Sequence, residues 1–322
     1  MRLRRRLGRS SIEVSPIGLG CWQFSQRKNL AGGFWESVPA DVVQEIVQTS
    51  LDGGVNWFDT AQVYGNGRSE EMLAEALKAC GKAPGDVVVA TKWWPTLRCA
   101  CNIKSTIGER LERLGGFPID LHQVHQPLSI SSVEAQMNAM ADLVEREQIR
   151  TVGVSNFSTS RMRDAHAFLA MRGIPLVSNQ MPYSLLDRRI ESNGLLAAAR
   201  ELGITLIAYS PLAQGLLSGK FHDDPDSINS RPGPRKWMPS FKEKGLKRTW
   251  PLIKLLREIA DAHGVSSSQV ALNWLVTFYG DMVVAIPGAT RSSHAKDNVG
   301  AMAFDLSHKE LQAIDRASRQ LM

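Results

Sequence analysis

Residues 55–59 read VNWFD, residues 87–92 VVVATK and residues 119–125 IDLHQVH, and the form these runs share decides the fold. Each is short and apolar at its centre, and each ends on an ionisable side chain: Asp59, Lys92 and His125. Short apolar runs rich in valine and isoleucine and closed by polar residues read as strands of a parallel sheet, buried on both faces. Working outward, four more such runs follow at 149–155, 176–180, 204–210 and 282–288, and a shorter one precedes them at 17–20. Amphipathic segments lie between. Val43, Ile46, Val47 and Leu51 recur at helical spacing and stop at Gly53 and Gly54, and Ile103, Ile107, Leu111 and Leu114 repeat the pattern. Ser131 with Glu134 reads as a capping box ahead of Met137, Met140 and Val144. Residues 195–202 form another helix, closed by Gly203.

Eight strand–helix units predict an α/β fold of the (β/α)8 TIM-barrel type, one domain over residues 1–322. Residues 5–7 and 12–14 flank a turn at 8–11 and predict an N-terminal β-hairpin that plugs the bottom of the barrel. A long irregular stretch, 211–250, follows the seventh strand, and a loop of that length is usually functional. A doubly wound sheet is the competing architecture, but no G-x-G-x-x-G opens any strand-to-helix turn. Residues 215–220 resemble a phosphate-binding loop only superficially: the spacing is one short, and Phe221 stands where Ser or Thr is needed.

Composition narrows the function classes. A hydrophobic share of 43% and dispersed charge exclude wholesale disorder. No apolar run approaches the ~20 residues that span a bilayer, and residues 7–16 are too polar for a secretory signal, so a soluble, cytoplasmic protein is expected. Free thiols are then expected at Cys21, Cys80, Cys99 and Cys101. Cys99 and Cys101 lack a second ligand pair, so no metal is expected. The net charge of +6 gathers in the N-terminal arginines and in 231–248; it suits an anionic ligand, but no nucleic-acid-reading helix accompanies it. A closed sheet has no edge that needs a partner, so a monomer is expected.

The C-terminal ends of barrel strands converge on one mouth. There Asp59, Lys92 and His125 meet, with Tyr64 one short turn beyond Asp59. A tyrosine begins near pKa ~10, and an adjacent ammonium lowers it; a fall of ~2 units takes roughly 3 kcal/mol. Lys92 is expected to act so on Tyr64, Asp59 to hold Lys92 charged, and His125 to hydrogen-bond a carbonyl oxygen. Such a site has no strong nucleophile but offers a proton to a developing alkoxide. It needs a hydride donor.

Together GLGCW (18–22), DTAQVYG (59–65), TK (91–92), QVHQP (123–127), GVSNF (153–157), NQ (179–180), YSPL (209–212), GLLSGK (215–220) and IPGA (286–289) make the chain resemble the aldo-keto reductase family over essentially its whole length. The resemblance implies NAD(P)H-dependent reduction of an aldehyde or ketone, with Asp59, Tyr64, Lys92 and His125 as the catalytic tetrad. It puts Gly20, Cys21, Trp22 and Asp59 beside the cofactor, Ser155, Asn156 and Gln180 on the carboxamide, and Tyr209 stacked on the nicotinamide. Ser210, Pro211, Leu212, Gln214 and Gly215, with Lys220, would take the pyrophosphate. Gly288, Thr290, Arg291, His294, Asp297 and Asn298 would take the adenosine end, and Arg231 on the long loop would cover the cofactor. Some members carry Lys at the position of Gly288 and Arg or Gln at that of His294; here Arg291 or His294 would grip a 2′-phosphate. NADPH is therefore preferred and NADH left open. Trp22, Trp35, Trp93 and Trp94, with Phe24 and Trp237 near the mouth, predict an aromatic or bulky small-molecule carbonyl substrate held beside Tyr64 and His125. A pyridoxal-type aldehyde reductase and a cofactor-binding regulatory subunit like the channel β subunits are the alternatives.

Overall fold

Each apolar run becomes a strand. The computed structural model describes residues 4–26, 37–230 and 233–322, so the expectations for Trp35 and Arg231 lie outside the described residues. Strands β1 (Arg5–Arg6) and β2 (Glu13–Val14) form an antiparallel hairpin. The remaining eight are β3 (Leu19–Gly20), β4 (Trp57–Asp59), β5 (Val88–Trp93), β6 (Leu121–Val124), β7 (Thr151–Ser155), β8 (Leu176–Pro182), β9 (Thr205–Tyr209) and β10 (Val283–Ala285). They pair in parallel in chain order from β3 to β10. Parallel bridges Ile17–Ala285 and Gly20–Gly288 join the first to the last, as Gly18 N donates to Ala285 O at 2.8 Å and Ala285 N to Pro16 O at 2.9 Å. The sheet closes into the (β/α)8 barrel.

Strand side chains alternate between the two faces. Trp57, Ala90, Leu121, Ile207 and Val284 point into the barrel, where Leu7, Ile12 and Val14 of the hairpin pack beneath them. The opposite faces of the strands enter a second, larger core shared with the surrounding helices. One irregularity matters for the mouth. The β7–β8 register shifts, pairing Val152 with Leu176 but Gly153 with Ser178, so that Val177 is an extra residue on β8. A bulge of this kind re-aims every side chain beyond it. Here it turns Gln180 inward and Asn179 outward, onto Phe157 O and Met162.

Helices Ala40–Asp52 and Leu195–Leu202 stop at Gly53 and Gly203, as their patterns predict. The expected helix through Ile103 and Leu114 divides at Thr106 into Cys101–Ser105 and Ile107–Arg113. The capping serine is Ser132, which accepts from Ala135 N at 3.1 Å. Ser131 instead accepts from Ala100 N, tying down the preceding loop. The stretch after β9 is built of short helical turns rather than irregular chain, and a long helix, Glu243–His263, starts within it. Its core is Leu216, Phe221, Ile228, Phe241 and Leu246. Of the expected free thiols, Cys99 and Cys101 are joined in a disulfide while Cys21 and Cys80 are free. The turn into helix Cys101–Ser105 brings the two Cα atoms to 5.3 Å, within the range a disulfide bridges. No described helix is long and apolar enough to cross a membrane.

Candidate active site

Two residues past the dry interior, the inward positions of β4, β5 and β6 are Asp59, Lys92 and Gln123. Lys92 is fully buried; its Nζ donates to Asp59 Oδ1 and, at 2.8 Å, to Thr60 O. The other carboxylate oxygen of Asp59 accepts from Gln123 Nε2 at 3.0 Å and from the re-aimed Gln180 Nε2 at 2.9 Å. Above this layer stands Tyr64. Lys92 Nζ lies 5.1 Å from its ring centroid, and His125 meets the ring edge-on at 5.6 Å. Gly65 is what lets Tyr64 sit there: its φ is +65°, and a Cβ on it would come within 1.9 Å of Ser25 O.

The electrostatics follow from this geometry. Burial works against the Lys92 ammonium, but Asp59 and then Tyr64 outweigh it and hold the pKa above the ordinary lysine value. Burial raises the Tyr64 phenol, Lys92 pulls it back, and the Asp59 charge raises it again; the net direction is upward. The expected lowering of Tyr64 is thus corrected, because desolvation and the nearby carboxylate together exceed the pull of one ammonium. His125 is driven well below the ordinary histidine value by burial and then by Lys92, so its ring is neutral. Its Nδ1 has no hydrogen-bond partner among the described residues.

From this floor a cavity of about 710 Å³ runs across the mouth. The end at Tyr64 and His125 is lined by Trp22, Val63, Trp94 and Gln126, with Trp94 packed edge-on against His125 at 5.2 Å. Ser155, Asn156, Gln180 and Tyr209 form one wall, in which Tyr209 donates to Asn156 Oδ1 at 2.9 Å and Asn156 Nδ2 to Ser155 Oγ at 3.0 Å. The Tyr209 phenol is pushed up to about 12 by burial and then by Tyr64. The next wall is Ser210, Pro211, Leu212, Gln214 and Gly215. Ser210 (φ 50°), Gln214 (φ 58°) and Gly215 (φ 95°) all take left-handed backbone, a conformation that forms anion-binding concavities. Gly20, Cys21, Lys220, Gly288, Thr290, Arg291, His294, Asp297 and Asn298 also line it. Among the described residues no group of three His, Cys, Asp or Glu could hold a metal ion.

A family model described as the aldo/keto reductase family matches residues 16–319. The chain belongs to that family. This aldo-keto reductase is 39% identical over 308 residues to an uncharacterized oxidoreductase of Mycobacterium tuberculosis, covering 95% of this chain and 90% of the relative. It is 32% identical over 321 residues to the chloroplastic pyridoxal reductase of Arabidopsis thaliana, covering 96% and 84%. Its barrel superposes on a thermostable aldo-keto reductase solved with the inhibitor epalrestat, with a TM-score of 0.78, 30% identity and coverage of 98% and 99%. It superposes as well on the glycerol dehydrogenase of Gluconobacter oxydans, with a TM-score of 0.83, 26% identity and coverage of 100% and 97%. The chain is therefore an oxidoreductase of a family that applies nicotinamide cofactors to small carbonyl compounds.

The cavity of this aldo-keto reductase fits such a cofactor chemically. It offers amides at one end, left-handed backbone in the middle and the N-terminus of helix Ser292–Gly300 at the other. It also holds two buried amide oxygens with no partner among the described residues, Gln23 Oε1 and Gln214 Oε1. Arg291 and His294, alternatives in the sequence, form one unit: Arg291 Nε donates to His294 Nε2 at 3.0 Å. Three aromatic expectations fail. Trp93 follows Lys92 on β5 and so faces outward; it is fully buried and bonded to Asn102 Oδ1. Phe24 is core, and Trp237 is 70% exposed away from the cavity.

Other residues escaped the sequence reading. Gln123 had its signal in the two-residue spacing from Leu121. Arg235 is buried in the cavity wall, its Nη1 donating to Gln214 O at 3.3 Å; only the basic run 231–248 hinted at it. Gln62 accepts from Arg98 at 2.8 Å and from the buried Arg110 at 2.6 Å, bracing the turn that carries Tyr64. Those contacts join segments far apart in sequence, and no local pattern encodes them.

Proposed function

We propose that this chain is an NADPH-dependent carbonyl reductase in which Tyr64 is the general acid, favouring aromatic or bulky aldehydes and ketones. The observation that carries the reading is the buried Lys92–Asp59 pair set directly beneath the Tyr64 ring. When bound, the nicotinamide supplies the hydride for the carbonyl carbon. Tyr64 delivers the proton to the carbonyl oxygen. Its raised pKa keeps it protonated at neutral pH, as an acid must be, and the Lys92 ammonium stabilises the phenolate as the proton leaves. Asp59, held by three donors, fixes Lys92 in charge and position. His125, neutral and edge-on to Tyr64, orients the substrate oxygen without adding charge.

Ser155, Asn156 and Gln180 would hold the carboxamide, Tyr209 would stack on the ring, and the backbone from 210 to 215 with Lys220 would take the pyrophosphate. The Arg291–His294 pair at a helix N-terminus supports a 2′-phosphate and hence NADPH over NADH. Trp22, Val63 and Trp94 around Tyr64 support an aromatic substrate. Similarity to the pyridoxal reductase favours one such aldehyde, pyridoxal, as a second reading. The closed sheet supports one monomeric barrel over residues 1–322. The test is NADPH oxidation against a panel holding benzaldehydes, pyridoxal, ketones and sugars. Turnover is expected to be fastest with the aromatic aldehydes; no cofactor oxidation with any member would refute the reading.

A further inference from the structure

Gln23 has no part in the scheme above. It lies in the short turn Trp22–Ser25, just past the seam where β3 meets the end of β10. Its amide rests on Gly288: a Cβ built on that glycine would fall 2.2 Å from Gln23 Oε1 and 2.3 Å from Nε2. The two positions are thus reciprocal, the amide filling the volume that any side chain at 288 would need. Gln23 is only 8% exposed, it lines the cavity, and its Oε1 has no hydrogen-bond partner among the described residues. A buried carbonyl oxygen without a partner is costly, and one carried by a side chain that lines a cavity can be satisfied by a donor from what the cavity binds.

We infer that Gln23 Oε1 accepts a hydrogen bond from a ribose hydroxyl of the bound dinucleotide, and that residue 288 is glycine so that it can. The inference rests on the cavity's being a nicotinamide-cofactor site. The donor follows by chemistry. Phosphate oxygens at neutral pH only accept. The carboxamide falls to the opposite wall, on β7 and β8, and the adenine amine to Asp297 and Asn298. Asp59, the other acceptor nearby, is already held by three donors. The hydroxyls of the two riboses are the donors that remain. A neutral acceptor therefore stands where relatives with Lys at this position present a cation, and recognition here is of sugar rather than of phosphate.

Equilibrium binding tests this without turnover, through quenching of tryptophan fluorescence, since Trp22 and Trp94 line the cavity. The probes are NADP+, nicotinamide mononucleotide and 2′,5′-ADP. Gln23→Met removes the acceptor at nearly constant length and volume, and Gly288→Ala displaces the amide without altering it. Both variants should bind NADP+ about threefold to tenfold more weakly than wild type. The loss appears with the mononucleotide if the nicotinamide ribose is the donor, and with 2′,5′-ADP if the adenosine ribose is. Thermal unfolding run in parallel identifies a misfolded variant, and Gly288→Ala then decides alone. Unchanged binding of all three probes by folded variants would overturn the inference while leaving the cofactor reading intact. Failure of wild type to bind any probe would instead overturn the cofactor reading.

Discussion

The bottom and the mouth of this barrel are made by the same strands, one pleat apart. At the bottom, Trp57, Ala90 and Leu121 face Leu7, Ile12 and Val14 of the hairpin in a dry, apolar plug. Two residues further along the same three strands, the inward positions are Asp59, Lys92 and Gln123, the latter two joined through hydrogen bonds to Asp59. The plug is held by burial that any well-shaped apolar side chain supplies. The polar layer is held by specific hydrogen-bond partners. Stability and chemistry thus divide along the barrel axis, with the Lys92–Asp59 pair at the boundary.

The largest expected effect breaks the mouth alone. Tyr64→Phe removes only a hydroxyl that faces the cavity, so NADPH-dependent carbonyl reduction should fall about 10³-fold while the thermal midpoint stays near wild type. Equal turnover by the two proteins would remove Tyr64 as the acid. The converse breaks the bottom alone. Leu7→Ala empties part of the plug and should cost about 2–5 kcal/mol in chemical denaturation, with turnover per folded molecule unchanged. A loss of turnover without a loss of stability would mean the two ends are not separable.

A smaller effect sharpens the comparison within the mouth. Arg291→Ala should weaken NADPH binding about tenfold through the lost charge-assisted bond and leave NADH unchanged; an unaltered NADPH-to-NADH ratio would take Arg291 out of phosphate recognition. The smallest is a slope with pH. His122, on β6 between Leu121 and Gln123, faces outward, fully buried, and is held down at about 3 by burial and then by Arg110. Its folded-state pKa lies below the unfolded value of ~6.5, so its contribution is fully present above ~6.5 and is lost as pH falls toward 3. Stability should decline over that window by up to about 1.4 kcal/mol per pH unit, and His122→Phe should flatten the decline. The raised phenol predicts no matching loss of reduction on the alkaline side until the pH exceeds the ordinary tyrosine value of ~10.

Much of this was legible in the chain because barrels write their order locally. Eight apolar runs gave eight strands, and motifs such as DTAQVYG and QVHQP put Asp59, Tyr64 and His125 at strand ends. Trp93 follows the inward Lys92 by one residue, so strand alternation turns it away from the mouth and into the surrounding core. Ser131 yielded the cap to Ser132 because a loop from another strand needed its hydroxyl. Redox compartment argues for free thiols at Cys99 and Cys101, whereas the turn between them brings the pair within bridging distance.

Patterning by itself therefore determined the closed parallel barrel, the plugging hairpin and the identities of the four residues at its mouth, since all of these rest on periodicity and spacing along the chain. Only the tertiary structure decided that the bulge at Val177 delivers Gln180 to Asp59, that Arg235 and Gln23 enter the cavity, and that burial outweighs Lys92 at the Tyr64 phenol. Each of these depends on the distance and desolvation between segments far apart in sequence, which no local pattern encodes.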